Sequence, residues 1–92
     1  MVMHFACVNA GAVVGDNCIV NTGALIEHDA VVGDHCHVST SAVINGEAKV
    51  GRGTFIGSGA ICREGVSIGE GSIVGCQARV MRDLPPGTLM AT

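Results

Sequence analysis

Hydrophobic side chains recur along this chain with a strict period of six residues. Stepping by six from Val2, fourteen consecutive positions hold Val or Ile, with Cys once: Val2, Val8, Val14, Val20, Ile26, Val32, Val38, Ile44, Val50, Ile56, Cys62, Ile68, Val74 and Val80. Four residues after each comes a mostly small residue, until Leu84 ends that column. An amphipathic α-helix needs a period of 3.6 and an ordinary strand a period of two, so neither explains this pattern.

A strict period of six predicts an all-β fold, a single-stranded parallel β-helix in which each hexapeptide supplies a short strand and a corner. Glycine recurs in every third hexapeptide, at Gly15, Gly33, Gly51 and Gly69, which predicts three hexapeptides per triangular coil and about four and two-thirds coils. Glycine there suits either close backbone approach or a positive φ. Because proline cannot donate to the ladder, Pro85 and Pro86 predict a β-helix domain over 1–84 and a C-terminal tail over 85–92.

The composition excludes several classes of protein. The chain has 92 residues, of which 48% are hydrophobic, yet it contains two Phe and no Trp or Tyr. No apolar run approaches the roughly 20 residues of a membrane span, and no export signal opens the chain, so a cytoplasmic protein without membrane contact is expected. A net charge of −3 with no aromatic platform disfavours nucleic acid. Five cysteines without a CxxC pair argue against disulfides and a zinc knuckle, and no metal is expected.

A second column of positions points outward, yet it is largely apolar. It precedes each inward aliphatic residue, and nine of its fourteen members are Cys7, Val13, Ile19, Leu25, Val31, Val43, Phe55, Ile61 and Ile73. Exposed apolar stripes of this extent mark interfaces more often than tolerated surface residues. Threefold symmetry suits a triangular prism, so the column predicts a homotrimer.

Candidate chemistry lies at Glu27-His28-Asp29, followed by His35 and His37. Histidine is the natural general base near neutral pH, and a flanking carboxylate can orient it. One coil after His28 comes Gly46, which leaves no side chain directly over His28, so a thioester could lie against the backbone there. His37 is half a coil from His28, and a neighbouring subunit could bring the two together. The alternative is that these histidines are solvated corner or interface residues.

The segment 19–24 (Ile-Val-Asn-Thr-Gly-Ala), the Glu27-His28-Asp29 triplet with His37 nine residues after His28, and the segment 80–88 (Val-Met-Arg-Asp-Leu-Pro-Pro-Gly-Thr) carry a resemblance. Over essentially the whole chain, the sequence resembles hexapeptide-repeat acyltransferases of the sialic acid O-acetyltransferase and sugar-nucleotide N-acetyltransferase group. The resemblance implies a left-handed coil, acetyl-CoA as co-substrate, and transfer of an acetyl group to an amine or hydroxyl of a small, sugar-derived acceptor.

The same resemblance implies a role for individual residues. His28 would be the general base and Asp29 would support it, while His37 would contact the thioester region. Gly46 would offer backbone to the cofactor, and two turns would line its pantetheine arm: Gly57, Ser58 and Gly59 in one, Gly75 and Cys76 in the other. The CoA phosphates would then meet the basic end of the chain at Arg63, Arg79 or Arg82.

Two other hypotheses stay open. Members of the group carry an N-terminal α/β domain and a longer C-terminal tail, which this sequence does not include; a catalytically inactive β-helix trimerisation module, or a truncated remnant of such a transferase, is the second hypothesis. The third is a zinc site between subunits like that of γ-carbonic anhydrases. It would use His28, His35 and His37, although their spacings of seven and two residues differ from the His-x4-His of that class.

Overall fold

The computed structural model describes residues 1–91, and within them every regular element is a strand of two residues. No helix in that range is long and apolar enough to cross a membrane. The strands follow one another at the predicted six-residue spacing as far as β13: β1 (Cys7–Val8), β2 (Val13–Val14), β3 (Ile19–Val20), β4 (Leu25–Ile26), β5 (Val31–Val32), β6 (His37–Val38), β7 (Val43–Ile44), β8 (Lys49–Val50), β9 (Phe55–Ile56), β10 (Ile61–Cys62), β11 (Ser67–Ile68), β12 (Ile73–Val74), β13 (Arg79–Val80) and β14 (Leu89–Met90).

The strands form three parallel sheets, one on each side of a triangular solenoid. The first sheet has the order β1-β4-β7-β10-β13, the second β2-β5-β8-β11, and the third β3-β6-β9-β12-β14. As far as β13, each strand therefore pairs with the third strand along the chain, as Leu25 of β4 pairs with Val43 of β7. The last strand, β14, pairs with β12. This architecture confirms the predicted fold and is consistent with a left-handed β-helix. The turns after strands of the first, second and third sheets are called the first, second and third corner below.

The inward column fills the interior of the solenoid. From Val20 to Val80, every one of its members is at most 3% exposed, and the largest fully buried side chains are Ile26, Ile44 and Ile56. Removal of such side chains from water stabilises a fold by about 1.5–3 kcal/mol each. The chain therefore builds its core from stacked branched aliphatic residues, which explains how it dispenses with large aromatic rings.

The glycine column that recurs once per coil lies in the second corner, against the backbone of the following coil. A Cβ on Gly51 would stand 2.5 Å from the backbone nitrogen of Glu70, and one on Gly33 would stand 2.9 Å from that of Arg52. These glycines do not adopt positive φ. Close approach of the backbone, one of the two predicted reasons, is therefore the one that applies.

The residue that ends the second corner is a hydrogen-bond donor in every coil, whereas the other two corners end in alanine or valine. Cys36 donates from Sγ to the carbonyl of Gly51 at 3.1 Å, and Thr54 donates from Oγ1 to that of Gly69 at 3.3 Å. The full column is Cys18, Cys36, Thr54 and Ser72, with Thr88 in the shortened last coil. Buried carbonyls require hydrogen-bond partners. The side chains of this column provide them for the backbone carbonyls of the second corner, in addition to filling space.

The last coil is two residues shorter than the others. Leu84 pairs with Ile68, and Leu89 pairs with Ile73. In the regular coils a residue pairs with the one 18 positions further along, and in these two pairs the partner comes two positions sooner. Leu84 therefore takes an inward aliphatic position and not the small position at which the strict period places it. Strand pairing continues through Met90, beyond the domain boundary predicted at residue 84, because a shortened first corner carries the prolines into the second corner.

Candidate functional site

His28 and Gly46 stack on each other in the first corner. Gly46 lies one coil above His28, and a Cβ built on it would stand 2.6 Å from Cε1 and 2.9 Å from Nε2 of the imidazole. Gly46 has an ordinary backbone conformation, so the absence of a side chain matters here for space and not for φ. The sequence places an open gap over His28; in the structure, the imidazole itself fills that gap.

The carboxylate that follows His28 in the sequence points away from it. Asp29 adopts a left-handed φ of 59°, and its side chain lies over Gly11 in the preceding coil, where a Cβ would meet Oδ1 at 2.0 Å. Glu27 accepts a hydrogen bond of 2.6 Å from Nδ2 of Asn9. Among residues 1–91, neither carboxylate makes a hydrogen bond or ion pair with His28.

Two other carboxylates approach His28 from the following coils. Glu47 and Glu64 are exposed, and one ligand atom from each lies within 4.8 Å of the other and of an imidazole nitrogen of His28. The sequence contains a signal for Glu64, which stands in the same once-per-coil column as His28. Glu47 was missed because it belongs to the adjoining column, beside Gly46.

An open groove of about 660 Å³ runs beside His28 along the edge of the first sheet. Its volume lies in the range of small-molecule pockets. Glu27, His28 and Gly46 line one end, and Arg63 and Arg79 line it further along the solenoid axis. Arg63 donates from Nη1 to the carbonyl of Met81 at 3.3 Å. The groove thus joins a candidate base to two cations, which can attract an anionic group, and it also carries the carboxylate of Glu64.

The turns predicted to line the pantetheine arm lie at a different corner. Gly57, Ser58 and Gly59 follow β9, and Gly75 and Cys76 follow β12, so all five belong to the third corner. Backbone contact is close there, since a Cβ on Gly57 would stand 2.7 Å from the nitrogen of Cys76. The first sheet separates this corner from His28 within one chain. The predicted residues therefore form two clusters, one at each edge of the first sheet.

The other two candidate histidines are separate from His28. His37 lies in β6 on the third sheet, with its ring edge-on to Phe55 at a centroid distance of 5.2 Å. His35 is exposed in the second corner. Within residues 1–91 no group of potential metal ligands contains two histidines, so a three-histidine site would require other subunits.

Burial holds two of the cysteines in the protonated thiol form. Burial raises the pKa of the Cys62 thiol to about 12. It also raises the pKa of Cys36, although backbone hydrogen bonds act in the opposite direction. The thiolate is the reactive form, so both thiols are held in their unreactive state, in keeping with small core residues.

The outward apolar residues concentrate on two of the three sheets. Those of the first sheet are Cys7, Leu25, Val43 and Ile61, and those of the third sheet are Ile19, Phe55, Ile73 and Leu89, together with His37. The second sheet presents Val13 and Val31, then Lys49 and Ser67. The two largely apolar sheets meet at the third corner.

Solved structures of acetyltransferases share this fold. A variant of perosamine N-acetyltransferase from Caulobacter crescentus, in complex with CoA and GDP-perosamine, matches with a TM-score of 0.96 and 38% identity, over 99% of this chain and 44% of that one. The acetyltransferase domain of PglB from Neisseria gonorrhoeae, in complex with acetyl coenzyme A, matches with a TM-score of 0.97 and 36% identity, again over 99% and 44%.

These matches confirm the resemblance to hexapeptide-repeat acyltransferases of the sugar-nucleotide N-acetyltransferase group. The chain spans less than half the length of either protein. No protein-family model matches the sequence, and no curated protein sequence does, so the similarity rests on the solved structures.

Proposed function

We propose that this chain forms the β-helix of an acetyl-CoA-dependent acetyltransferase that modifies an amine or hydroxyl of a small, sugar-derived acceptor in the cytoplasm. The observation that carries the proposal is His28, exposed at the head of a groove, in a chain similar along nearly its whole length to sugar-nucleotide N-acetyltransferases.

His28 acts as the general base in this proposal. An imidazole nitrogen takes the proton from the acceptor amine or hydroxyl. At the same time, the lone pair of the acceptor nitrogen or oxygen attacks the carbonyl carbon of the acetyl thioester. The new C–N or C–O bond forms, the C–S bond breaks, and the proton passes to the departing CoA sulfur. In this proposal the carboxylate of Asp29 turns from Gly11 towards His28 and supports the resulting imidazolium, since an opposite charge nearby favours the charged form.

The donor side of the site is supplied by the third corner. The turns at Ser58 and Cys76 stand one coil apart in a single column, which suits an extended pantetheine arm along the solenoid axis. Gly57 and Gly59 flank Ser58, and Gly75 precedes Cys76, so backbone is close to the arm. His37, on the third sheet, contacts the thioester region. Gly46, at the first corner of the neighbouring subunit, offers its backbone beside the ring of His28.

A homotrimer completes the site. His28 and the Ser58 turn lie at opposite edges of the first sheet in one chain, so a neighbouring subunit has to bring its third corner to the His28 groove. The two apolar sheets support this arrangement, since packing against neighbours removes Ile61, Phe55 and Ile73 from water. Each of these side chains is 38–49% exposed in the single chain.

Calorimetry with acetyl-CoA, followed by mass spectrometry of candidate amino sugars, tests the proposal. We expect saturable heat from the trimer and an acetylated product whose formation falls about 100-fold or more in His28→Ala, the contribution of a general base. His35→Ala removes an exposed imidazole from another corner and serves as the control. A verified trimer that gives no heat with millimolar acetyl-CoA would contradict the proposal.

The second candidate function is a non-catalytic trimerisation module, which the outward apolar residues of the first and third sheets favour. Such a module would form the same trimer through its apolar sheets but would neither bind acetyl-CoA nor lose a property in His28→Ala. The two candidates are therefore separated by acetyl-CoA binding and not by the oligomeric state.

A further inference from the structure

Three potential metal ligands converge over Gly46. His28, Glu47 and Glu64 come from three successive coils, and one donor atom from each lies within 4.8 Å of the other two. The backbones of His28 and Glu64 are two coils apart, on the order of 9.6 Å along the solenoid axis. A side chain at position 46 would stand between them. Because Gly46 has none, the two can meet across its coil.

Three other charged groups near His28 are turned elsewhere. Glu27 is hydrogen-bonded to Asn9, Asp29 lies over Gly11, and Arg63 donates to the carbonyl of Met81. By contrast, within residues 1–91 the carboxylates of Glu47 and Glu64 make no hydrogen bond or ion pair. Two acceptors and an imidazole thus share one space with no neighbouring cation bound to either acceptor.

The donor set has the chemistry of a first-row transition-metal site. Zinc binds imidazole nitrogen and carboxylate oxygen at about 2.0–2.2 Å, so small rotations of three exposed side chains bring all three donors into one coordination sphere. Water can fill the remaining positions. Magnesium and calcium prefer oxygen ligands alone, whereas an imidazole favours zinc and its neighbours in the series. Two carboxylates and a neutral imidazole also offset the charge of a dication.

We propose that His28, Glu47 and Glu64 form a binding site for a divalent transition metal of the zinc type. The metal is an inhibitor and not a cofactor: it binds through the imidazole lone pair that removes the acceptor proton, so the loaded chain lacks its base. This consequence rests on the proposed function, whereas metal binding itself does not.

Titration of ZnCl2 into the metal-free chain at neutral pH, followed by calorimetry, tests the site. We expect one Zn²⁺ to bind per chain at this site, with an affinity at least about tenfold lower in Glu64→Gln and in Gly46→Ala. Gly46→Ala removes no ligand and acts by displacing the imidazole. Glu70→Gln, which removes the same charge from the second corner, and His35→Ala, which removes an exposed imidazole, should leave the affinity unchanged.

The outcomes separate this inference from the proposed function. Equal zinc affinity in Glu64→Gln and Glu70→Gln would overturn it, as would MgCl2 binding as tightly as ZnCl2. Zinc binding in a chain that never acetylates an acceptor would refute the acetyltransferase alone. If the chain does acetylate, zinc should inhibit at the concentration at which it binds, and about tenfold more should be needed in Glu64→Gln.

Discussion

The imidazole of His28 occupies the space into which a Cβ at Gly46 would project, with Cε1 2.6 Å from that position. Because Gly46 has no side chain, the ring of His28 can extend into the space beside it, one coil further along. This relationship gives a way to move the candidate base without altering it.

Gly46→Ala should displace the His28 ring while leaving the fold intact. The new methyl group meets the far end of an exposed, flexible side chain, and the backbone at position 46 has no positive φ to strain. We expect thermal unfolding to change little and acetyl transfer to fall about 100-fold, the order of loss that follows misplacement of a catalytic group by roughly 1 Å. Unaltered turnover in a variant shown to fold would contradict this role for Gly46.

Gly51→Ala is the matched control in the second corner. Its methyl group would stand 2.5 Å from the backbone nitrogen of Glu70, and backbone cannot rotate away as a side chain can. We expect a loss of about 1–3 kcal/mol in the free energy of unfolding, typical of overpacking, measured by urea denaturation. If Gly46→Ala were destabilised as much as Gly51→Ala, its effect on turnover would no longer report on His28.

Ser72→Ala should loosen the last coil. The buried hydroxyl donates to the carbonyl of Gly69 at 2.7 Å and accepts from the backbone nitrogen of Thr88 at 3.2 Å. Its removal leaves a part-buried amide without this partner, at a cost of about 1–3 kcal/mol. Hydrogen exchange should accelerate at Thr88 and across β14. Ser67→Ala, at an exposed outward position, should leave exchange in β14 unchanged.

The sequence was sufficient to predict the fold because a period of six over so many repeats matches no helix or ordinary strand. It also placed His28 and Gly46 in one column, and the structure stacks them. It was insufficient at the last coil, where Leu84 follows Val80 after a shortened corner and shifts the register by two positions. A periodic count cannot detect such a shift until strand partners are known.

The surroundings of His28 could be predicted less well, because they depend on the direction in which side chains leave the corner. Asp29 neighbours His28 in sequence, yet its left-handed backbone turns the carboxylate towards Gly11. Glu47 and Glu64 come close through the stacking of coils. In a solenoid, residues that are one or two whole coils apart in sequence can lie side by side. The neighbours of His28 are therefore set by the stacking of coils as much as by the order of residues along the chain.

Cys62→Val should reduce the sensitivity of the fold to alkaline pH. Burial raises the folded-state pKa of this thiol from 9.0 to about 12, so the folded state keeps its proton while the unfolded state loses it. The protonated thiol therefore leaves the free energy of unfolding at its full value below pH 9, and this free energy falls as the pH rises from 9 towards 12. At pH 10.5 the thiol should cost the parent about 2 kcal/mol. Valine occupies this column elsewhere, so the change at neutral pH should stay below about 1.5 kcal/mol.

Urea denaturation of both proteins at pH 8 and pH 10.5 measures this difference. The parent should lose more stability than Cys62→Val between the two conditions, whereas equal losses would mean that the buried thiol titrates normally. Cys7→Val alters an exposed thiol instead and should lose as much stability as the parent.

Phe55→Arg should dissociate the proposed trimer. Phe55 lies on the third sheet between His37 and Ile73 in the outward column, and burial of a guanidinium in an apolar contact without a partner is strongly unfavourable. Light scattering coupled to size exclusion should show the mass fall from three chains to one, while circular dichroism retains the β-helix signal. Ser67→Arg introduces the same side chain on the second sheet and should leave the trimer intact. Dissociation by Ser67→Arg but not by Phe55→Arg would place the interface on the second sheet and separate it from the third corner, where Ser58 and Cys76 lie.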